Sequence, residues 1–130
     1  MIKVSTRGDY GTVLMTYLAR NHSRGILPLS EIAKKERLSF SYLQKLAGEL
    51  KRAGLLISKE GMDGGIKLSR SPSQISVGEI VRVLEGPLEL VKCGSCKIAS
   101  FCPSQKPWQK VFKIMTLELN KISLKDILDG

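Results

Sequence analysis

Residues 29–54 read LSEIAKKERLSFSYLQKLAGELKRAG, and the pattern of this segment predicts the central motif of the chain. Its apolar positions follow a helical spacing that begins at Leu29 and is interrupted by the tripeptide Arg37-Leu38-Ser39. Ser39 is a good N-cap for a second, longer helix, because its hydroxyl can accept from the free amide donors of the first turn. Two short helices joined by a tight turn, with Leu38 buried in that turn, are typical of a helix-turn-helix.

The longer helix of this pair has an apolar side and a polar side. Leu43, Leu46, Ala47 and Leu50 form its apolar stripe, and Gly54 is placed to cap its C-terminus. On the polar side, Lys and Arg can contact phosphates without reading sequence, whereas Gln can hydrogen-bond adenine bidentately. The candidate DNA contacts of this helix are Ser39, Ser41, Tyr42, Gln44, Lys45, Lys51 and Arg52. A solvated helix face is the alternative that this pattern leaves open.

A β-hairpin is predicted directly after this helix. Residues 55–59 read as a strand, the glycine-rich residues 61–65 as a tight turn, and residues 66–68 as the returning strand. A helix-turn-helix followed by a hairpin is the winged-helix layout. Lys59 and Lys67 on this wing are candidate phosphate contacts, although each is also compatible with an ordinary surface lysine.

The charge balance favours a polyanionic partner. The chain has 130 residues, with 21 Lys and Arg against 12 Asp and Glu, and a formal net charge of +9. Residues 1–70 hold 13 of the cations and 6 of the anions, so the basic surface is expected in the half that contains the winged helix. Nucleic acid is the first candidate partner and an anionic membrane the second. No apolar run reaches transmembrane length and the N-terminus lacks a signal-peptide layout, so we expect a cytoplasmic protein that does not enter a membrane.

Further helices complete the predicted fold, and their ranges are about 6–21, 77–85, 106–121 and 123–129, with Ser76 and Ser123 as N-caps. The helix at 106–121 is apolar over so much of its circumference that two surfaces must cover it. We expect the second cover to be another copy of the chain. The predicted fold class is mainly α with a small β-hairpin wing: a winged helix-turn-helix plus a long C-terminal dimerisation helix. Within one structural domain, the regions are a DNA-binding part at 1–88, a cysteine loop at 89–105 and C-terminal helices at 106–130.

Three cysteines lie close together between the winged helix and the long helix. Cys93, Cys96 and Cys102 are flanked by small residues and lysines, and thiolates that converge in this way favour zinc or an iron–sulfur cluster. A complete coordination needs a fourth ligand, which no other cysteine supplies, and the only histidine, His22, lies in a distant polar loop. An acid, an amide, a small molecule or a partner subunit can each supply it. Three surface cysteines or a Cys-x-x-Cys redox site are the alternatives.

Motifs along nearly the whole chain resemble those of one family. They are KVSTRGDYGT at 3–12, LSFSYL at 38–43, RAGLL at 52–56, DGG at 63–65, ISVGEI at 75–80, LEGP at 84–87, the cysteine segment and PWQ at 107–109. With these motifs in this order, the chain resembles the IscR/NsrR family of bacterial winged-helix regulators. Within that family it is most similar to the group of SUF-system iron–sulfur assembly regulators.

The resemblance implies a homodimeric transcription factor, not an enzyme, that binds a double-stranded DNA operator and carries an iron–sulfur cluster. It places the three cysteines on the family's cysteine ligands, with a [2Fe-2S] cluster favoured and a [4Fe-4S] cluster also compatible. The histidine ligand of some members falls on Gln105 here, which is a poor iron ligand. The acidic ligand that other members supply from the partner subunit falls on Asp9, the preferred fourth ligand, and Glu36 is a weaker candidate.

The resemblance further implies a repressor of iron–sulfur assembly genes, and two alternatives stay open beside it. One is a nitric-oxide or redox sensor of the same build. The other is a zinc-stabilised module whose basic face binds nucleic acid. Colour separates zinc from a cluster, and salt-dependent, sequence-specific duplex binding separates a regulator from an interaction module.

Overall fold

The computed structural model describes residues 6–86, 103 and 105–130, and it has the winged-helix architecture that the sequence predicts. In chain order the helices are α1 (Thr6–Arg20), α2 (Leu29–Glu36), α3 (Phe40–Arg52), α4 (Val77–Glu85), α5 (Gln105–Lys121) and α6 (Leu124–Asp129). Strands β1 (Leu56–Lys59) and β2 (Gly65–Leu68) form an antiparallel hairpin between α3 and α4. Short 3-10 helices at His22–Arg24 and Pro72–Gln74, which the spacing does not predict, occupy two of the connections.

The N-caps predicted for α3, α4 and α6 are confirmed, and each is a serine hydroxyl. Ser39 Oγ accepts from the Tyr42 N–H at 3.3 Å. Ser76 and Ser123 form capping boxes, in which the hydroxyl accepts from the N–H of an acidic residue three positions later and that carboxylate accepts from the serine N–H. These short-range contacts fix where the helices begin, and therefore which side chains stand at the start of α3.

The end of α3 differs by one residue from the prediction. Ala53 caps the helix instead of Gly54, and Gly54 follows it with a φ of 84°, a left-handed conformation that glycine adopts without a steric penalty. The Leu55 N–H then donates to the Leu50 carbonyl at 3.0 Å, so Leu55 closes the helix instead of opening the strand. Strand β1 therefore begins at Leu56, one residue later than expected.

The backbone of Leu27 holds the hairpin close to the helices. The register of the hairpin pairs Leu56 with Leu68 and Lys59 with Gly65. Leu27 pairs in turn with Ile66 through two backbone hydrogen bonds of 2.9 Å. A Cβ on Gly65 would collide with the Leu27 carbonyl, so this approach requires a glycine there, in addition to the turn role that the sequence indicates.

The core lies where α1, α3 and α4 meet, and α2 and α6 pack against it. Its fully buried side chains include Leu14, Met15, Ile32, Leu43, Leu46, Leu50, Ile80 and Leu124. Each such side chain contributes about 1.5–3 kcal/mol by leaving water. Leu38 and Val77, which the spacing predicts to be buried, are only half-buried, and Leu38 packs against the edge of this core.

The start of α4 is joined to the start of α6. An isolated antiparallel bridge pairs Ser76 with Ser123. On its two sides, backbone hydrogen bonds of 2.7 and 3.0 Å connect residues 77 and 75 to residues 122 and 124. Helix α5 packs along α4, so the two C-terminal helices are attached to the winged helix through α4 as well as through α1.

Candidate nucleic-acid interface

Helix α3 presents one buried side and one exposed side. The four residues of its apolar stripe are buried in the core. The opposite side of the helix carries four exposed residues at spacings that place them on one face: Ser41, Gln44, Lys45 and Arg52. Lys51 is exposed at the edge of this face. This face combines three cations with a side-chain amide and a hydroxyl, a set that can contact both phosphates and base edges.

The turn between α2 and α3 sets the direction of α3. Arg37 ends α2 in a left-handed conformation with φ 55° and ψ 44°, and within the described ranges no other residue except glycine has a positive φ. The Leu38 N–H donates to the Ala33 carbonyl at 2.9 Å, which closes the turn. Because a left-handed residue other than glycine costs about 1–2 kcal/mol, the exposed Arg37 is held in this conformation by the packing around the turn.

Two of the candidate DNA contacts, Ser39 and Tyr42, also make contacts within the chain. Ser39 Oγ caps α3 and lies 3.2 Å from Ser41 Oγ. Tyr42 is half-buried, and its ring meets the Tyr10 ring of α1 edge-on, with 5.8 Å between centroids and 82° between planes. Such aromatic pairs contribute about 0.5–1.5 kcal/mol beyond their buried area, so Tyr42 helps to fix the start of α3 against α1.

Arg7 of α1 connects α3 to the end of α4. Its guanidinium forms an ion pair with Glu49 of α3, and its Nε donates to the Leu84 carbonyl at 3.1 Å. Next to it, the Gly8 N–H donates to a carboxylate oxygen of Glu85 at 3.0 Å. The hydrogen bond from Arg7 lowers the pKa of Glu49 below its ordinary value. Through one side chain, α3 is therefore held in a defined position relative to both α1 and α4.

A second network attaches α2, the first helix of the helix-turn-helix, to α1. The Tyr17 hydroxyl donates to Glu31 at 3.0 Å, and Arg24 pairs with the same carboxylate at 2.9 Å. The hydrogen bonds from Arg24 and then from Tyr17 lower the pKa of Glu31. Burial, followed by the bond to Glu31, raises the pKa of Tyr17. Both helices of the motif are thus fixed to α1 by charged hydrogen bonds.

The wing carries its two candidate lysines on its solvent side. Lys59 pairs with Gly65, and since side chains alternate along each strand, Lys59 and Lys67 lie on the same face of the hairpin. Leu56, Ile66 and Leu68 on the opposite face are buried. Lys59 is exposed and Lys67 is half-buried. The wing therefore adds two cations to the surface beside α3.

Phe40, the first residue of α3, is not identified by the sequence pattern. Its side chain is 47% exposed, and among the described residues it is not one of the apolar side chains that form the core or pack against it. At 100° per residue, Phe40 lies about 40° from Gln44 around the helix, at the edge of the exposed face. The one signal in the sequence is its position directly after the predicted N-cap.

Most of the residues considered as cofactor ligands lie outside the part that the structure describes. This holds for Cys93, Cys96 and Cys102, since the cysteine segment at 91–104 is described only at Pro103. Gln105 is the first residue of α5, and its side chain is likewise outside the described part. Within residues 6–86, 103 and 105–130, no three His, Cys, Asp or Glu side chains come together as a metal-binding group.

The two acidic ligand candidates line the same surface depression. Asp9 is exposed in the first part of α1, and Glu36 is the half-buried last residue of α2. Both line one surface depression of 230 Å³ between these helices, together with Arg20. The packing of α2 on α1 thus places two acidic residues that are far apart in the sequence at one depression.

Several large apolar side chains of α5 are exposed in the single chain. One side of α5 packs along α4. Along the helix and at the residue after its end, five large apolar side chains are 39–52% exposed: Trp108, Val111, Ile114, Leu117 and Ile122. The sequence predicts a second covering surface for this helix, and these are the side chains that it would cover.

Known proteins are similar to this chain in sequence and in architecture. Residues 4–130 match the family model of Rrf2, described as an iron-dependent transcriptional regulator. The chain belongs to the Rrf2 family. It is 43% identical to the transcriptional regulator CymR of Bacillus subtilis over 91 residues, which are 70% of this chain and 66% of CymR. The motif-based resemblance to IscR-type regulators is confirmed at the level of the family.

Two solved structures support the same assignment. IscR from T. potens is 39% identical with a TM-score of 0.81, and the match covers 98% of this chain and 87% of that protein. CymR, described as the global cysteine regulator of B. subtilis, is 35% identical with a TM-score of 0.79, over 98% of this chain and 96% of CymR. As a member of the Rrf2 family, the chain is a transcriptional regulator and not an enzyme. None of the helices in the described ranges is both long enough and apolar enough to cross a membrane.

Proposed function

We propose that the chain is a homodimeric repressor whose affinity for a double-stranded DNA operator depends on an iron–sulfur cluster. The observation that carries this proposal is the group of three cysteines, Cys93, Cys96 and Cys102, in a member of a family described as iron-dependent regulators. Genes of iron–sulfur assembly are the proposed targets, following the resemblance of the sequence motifs.

DNA binding is assigned to α3 and the wing. In this assignment α3 lies in the major groove, where Ser41 and Gln44 near its N-terminus meet base edges. The cations at 45, 51 and 52 meet phosphates, and those at 59 and 67 on the wing contact the neighbouring backbone. Ser39 and Tyr42 stand at the same end of the helix. The contacts that hold α3 against α1 and α4 support this role, because a recognition helix must keep a fixed position in the protein.

The donor set fits an iron–sulfur cluster. Thiolates are the ligands that hold such clusters, and the chain supplies three of them. Asp9, an exposed carboxylate that a partner subunit can reach, is the proposed fourth ligand, and Glu36 lines the same depression. When bound, the cluster would supply a redox-active centre, with a [2Fe-2S] cluster favoured.

Dimerisation is assigned to the exposed apolar side chains of α5. Ile114 and Leu117, which are neighbours around the helix and about half exposed, are typical of the apolar centre of a homodimer interface. A dimer formed through α5 places two copies of α3 on one molecule, which matches an operator with two half-sites.

Purification of the full chain without oxygen tests the cluster. Broad sulfide-to-iron absorption bands with equal iron and sulfide content would support the proposal. A colourless, iron-free protein that stays colourless after reconstitution would contradict it. In that case, bound zinc would favour the zinc-stabilised module. If the protein is coloured, a spectral change on adding nitric oxide would favour the nitric-oxide sensor.

Substitution of Asp9 tests the fourth ligand. Asp9→Ala should lower cluster retention without dissociating the dimer, because one coordination position loses its donor. Asp129→Ala is the matched control, since it removes an exposed carboxylate from α6 and should leave the iron content unchanged. Equal iron content and equal cluster lifetime in wild type and Asp9→Ala would exclude Asp9 as a ligand.

Two substitutions on α3 test the DNA interface. Gln44→Ala should relax the preference for one base pair, with a loss of about 1–3 kcal/mol on the preferred duplex. Lys51→Ala should weaken binding to all duplexes alike. It should also reduce the slope of log affinity against log salt concentration by about one. If both variants bind DNA as the wild type does, α3 is not the recognition helix.

Control of cysteine metabolism is a second candidate, favoured by the similarity to CymR. Both candidates share the DNA-binding assignment and differ in the signal that is sensed. Sequence-specific DNA binding by a colourless protein, with an affinity that does not respond to cluster reconstitution, would favour the CymR-like function.

A further inference from the structure

Phe40 stands at the end of α3 from which a helix in the major groove meets base edges. It is the first helical residue after the N-cap Ser39, and its side chain is 47% exposed. When α3 lies in the groove, the phenyl ring is therefore among the side chains nearest to the bases.

The described part of the chain does not include this ring in the core. Phe40 is not among the core residues or the partly buried side chains packed against them, whereas its neighbours Leu38 and Tyr42 are among the partly buried ones. The Tyr42 ring, not the Phe40 ring, meets Tyr10 of α1. Single exposed apolar residues are common on protein surfaces, so the exposure alone would carry no inference. The position of Phe40 at the N-terminal end of α3, where the proposed base contacts lie, supplies the second observation.

We propose that Phe40 reads the 5-methyl group of an operator thymine, close to the base pair that Gln44 contacts. The thymine methyl is the apolar group that base pairs present in the major groove, and phenylalanine is one of the side chains that contact it. This inference rests on the proposed DNA-binding role of α3 and adds a specific base feature to it.

The spacing of Phe40 and Gln44 limits where that thymine lies. Residues four apart in a helix are neighbours on its surface, about 6 Å apart along the axis, and successive bases along a strand are about 3.4 Å apart. The two side chains therefore reach base pairs that are adjacent or one step further apart. Since glutamine prefers adenine, each half-site should contain an A·T pair within two steps of the thymine that Phe40 reads.

Replacement of thymine by uracil tests the proposal, because it removes the methyl group and preserves base pairing. The probes are duplexes that the full-length wild type, purified without oxygen, selects from a random DNA library. Each thymine is then replaced singly by deoxyuridine, and Phe40→Ala and Phe40→Leu are compared with the wild type by equilibrium binding at one salt concentration. Lys125→Ala is the control, because Lys125 is exposed on α6, which is not part of the assigned DNA interface.

The wild type should bind about three- to fivefold more weakly when the methyl group of one particular thymine is removed, the effect expected for one lost apolar contact. Phe40→Ala should bind the unmodified duplex more weakly by a similar factor and show no further loss at that thymine. Phe40→Leu should keep part of the sensitivity to the methyl group, and Lys125→Ala should keep the wild-type uracil profile.

Three results would overturn the proposal. The first is a wild-type profile without a sensitive thymine, and the second is the same sensitive thymine in Phe40→Ala as in the wild type. The third is a large fall in the melting temperature of Phe40→Ala, because it would show that the ring is packed in the folded protein. If the wild type selects no sequence from the library, the proposed DNA-binding function itself fails, which is a separate and recognisable outcome.

Discussion

Gly11 and Gly48 are two helical glycines whose replacement by alanine should change stability in opposite directions. Alanine instead of glycine within a helix stabilises it by about 0.8–1.0 kcal/mol. At Gly48, in the middle of α3, an added Cβ would meet only Arg52 Nη1 among the described residues, at an ordinary contact distance of 3.6 Å. At Gly11 of α1, it would overlap the buried side chain of Leu84 on α4.

The size of each effect follows from these surroundings. Gly48→Ala should gain the full helix contribution of about 1 kcal/mol. The unfolding entropy is about 2.1 cal/mol/K per residue, so in a chain of 130 residues this gain raises Tm by about 4 °C. Gly11→Ala gains the same contribution, but overpacking a filled core costs about 1–3 kcal/mol. Since Leu84 is buried and has little room to move, the packing penalty should exceed the gain and Tm should fall.

Thermal unfolding of both variants beside the wild type checks this pair of predictions, with each substitution serving as the control of the other. A rise of Tm in both variants would refute the close approach of α1 and α4 at Gly11. A fall of Tm in Gly48→Ala would refute the free exposed face of α3, because it would show that another surface packs against that face in the folded protein.

Three further substitutions test contacts that place the helix-turn-helix. Glu49→Gln should lower the unfolding free energy at neutral pH, because Arg7 stabilises the ionised Glu49 and lowers its pKa from the ordinary value of 4.5. The difference in unfolding free energy from the wild type should therefore shrink as the pH falls below 4.5. A difference that does not depend on pH in urea titrations would contradict this prediction. Ser76→Ala should lose about 1 kcal/mol through its capping box, whereas the nearby Ser73→Ala should unfold as the wild type does. Arg37→Gly should gain about 1 kcal/mol by relieving the left-handed backbone, and a lower unfolding midpoint would show that the arginine side chain stabilises the turn.

Local contacts explain the parts of the fold that could be predicted from the sequence. Ser39, Ser76 and Ser123 each bind a backbone N–H three residues later, so their capping role depends only on their immediate neighbours. The apolar stripe of α3 is likewise set by spacing within one helix. The Gly54 cap was displaced by one residue because the Leu55 N–H finds a partner in the last turn of α3, a detail of hydrogen bonding that spacing does not specify.

Contacts between distant parts of the chain explain what could not be predicted about the site. Tyr42 belongs to the polar side by its spacing, but Tyr10 of α1 partly covers it. Phe40 lies at the edge of the apolar stripe, where burial and exposure are equally compatible with the spacing, and only the absence of a covering element among the described residues leaves it exposed. The shared depression of Asp9 and Glu36 arises from the packing of α2 on α1, for which the sequence contains no signal.

The backbone bridge between Ser76 and Ser123 closes a loop that contains α4, all three cysteines and α5. Its hydrogen bonds involve only residues 75–77 and 122–124, so they do not depend on the length of the chain between the two helices. The entropy of closing a flexible loop grows with the logarithm of its length, and each doubling adds only about 0.6 kcal/mol. Residues can therefore be inserted or deleted between α4 and α5 with little loss of stability, and the spacing of the cysteines can change during evolution while the winged helix keeps its form.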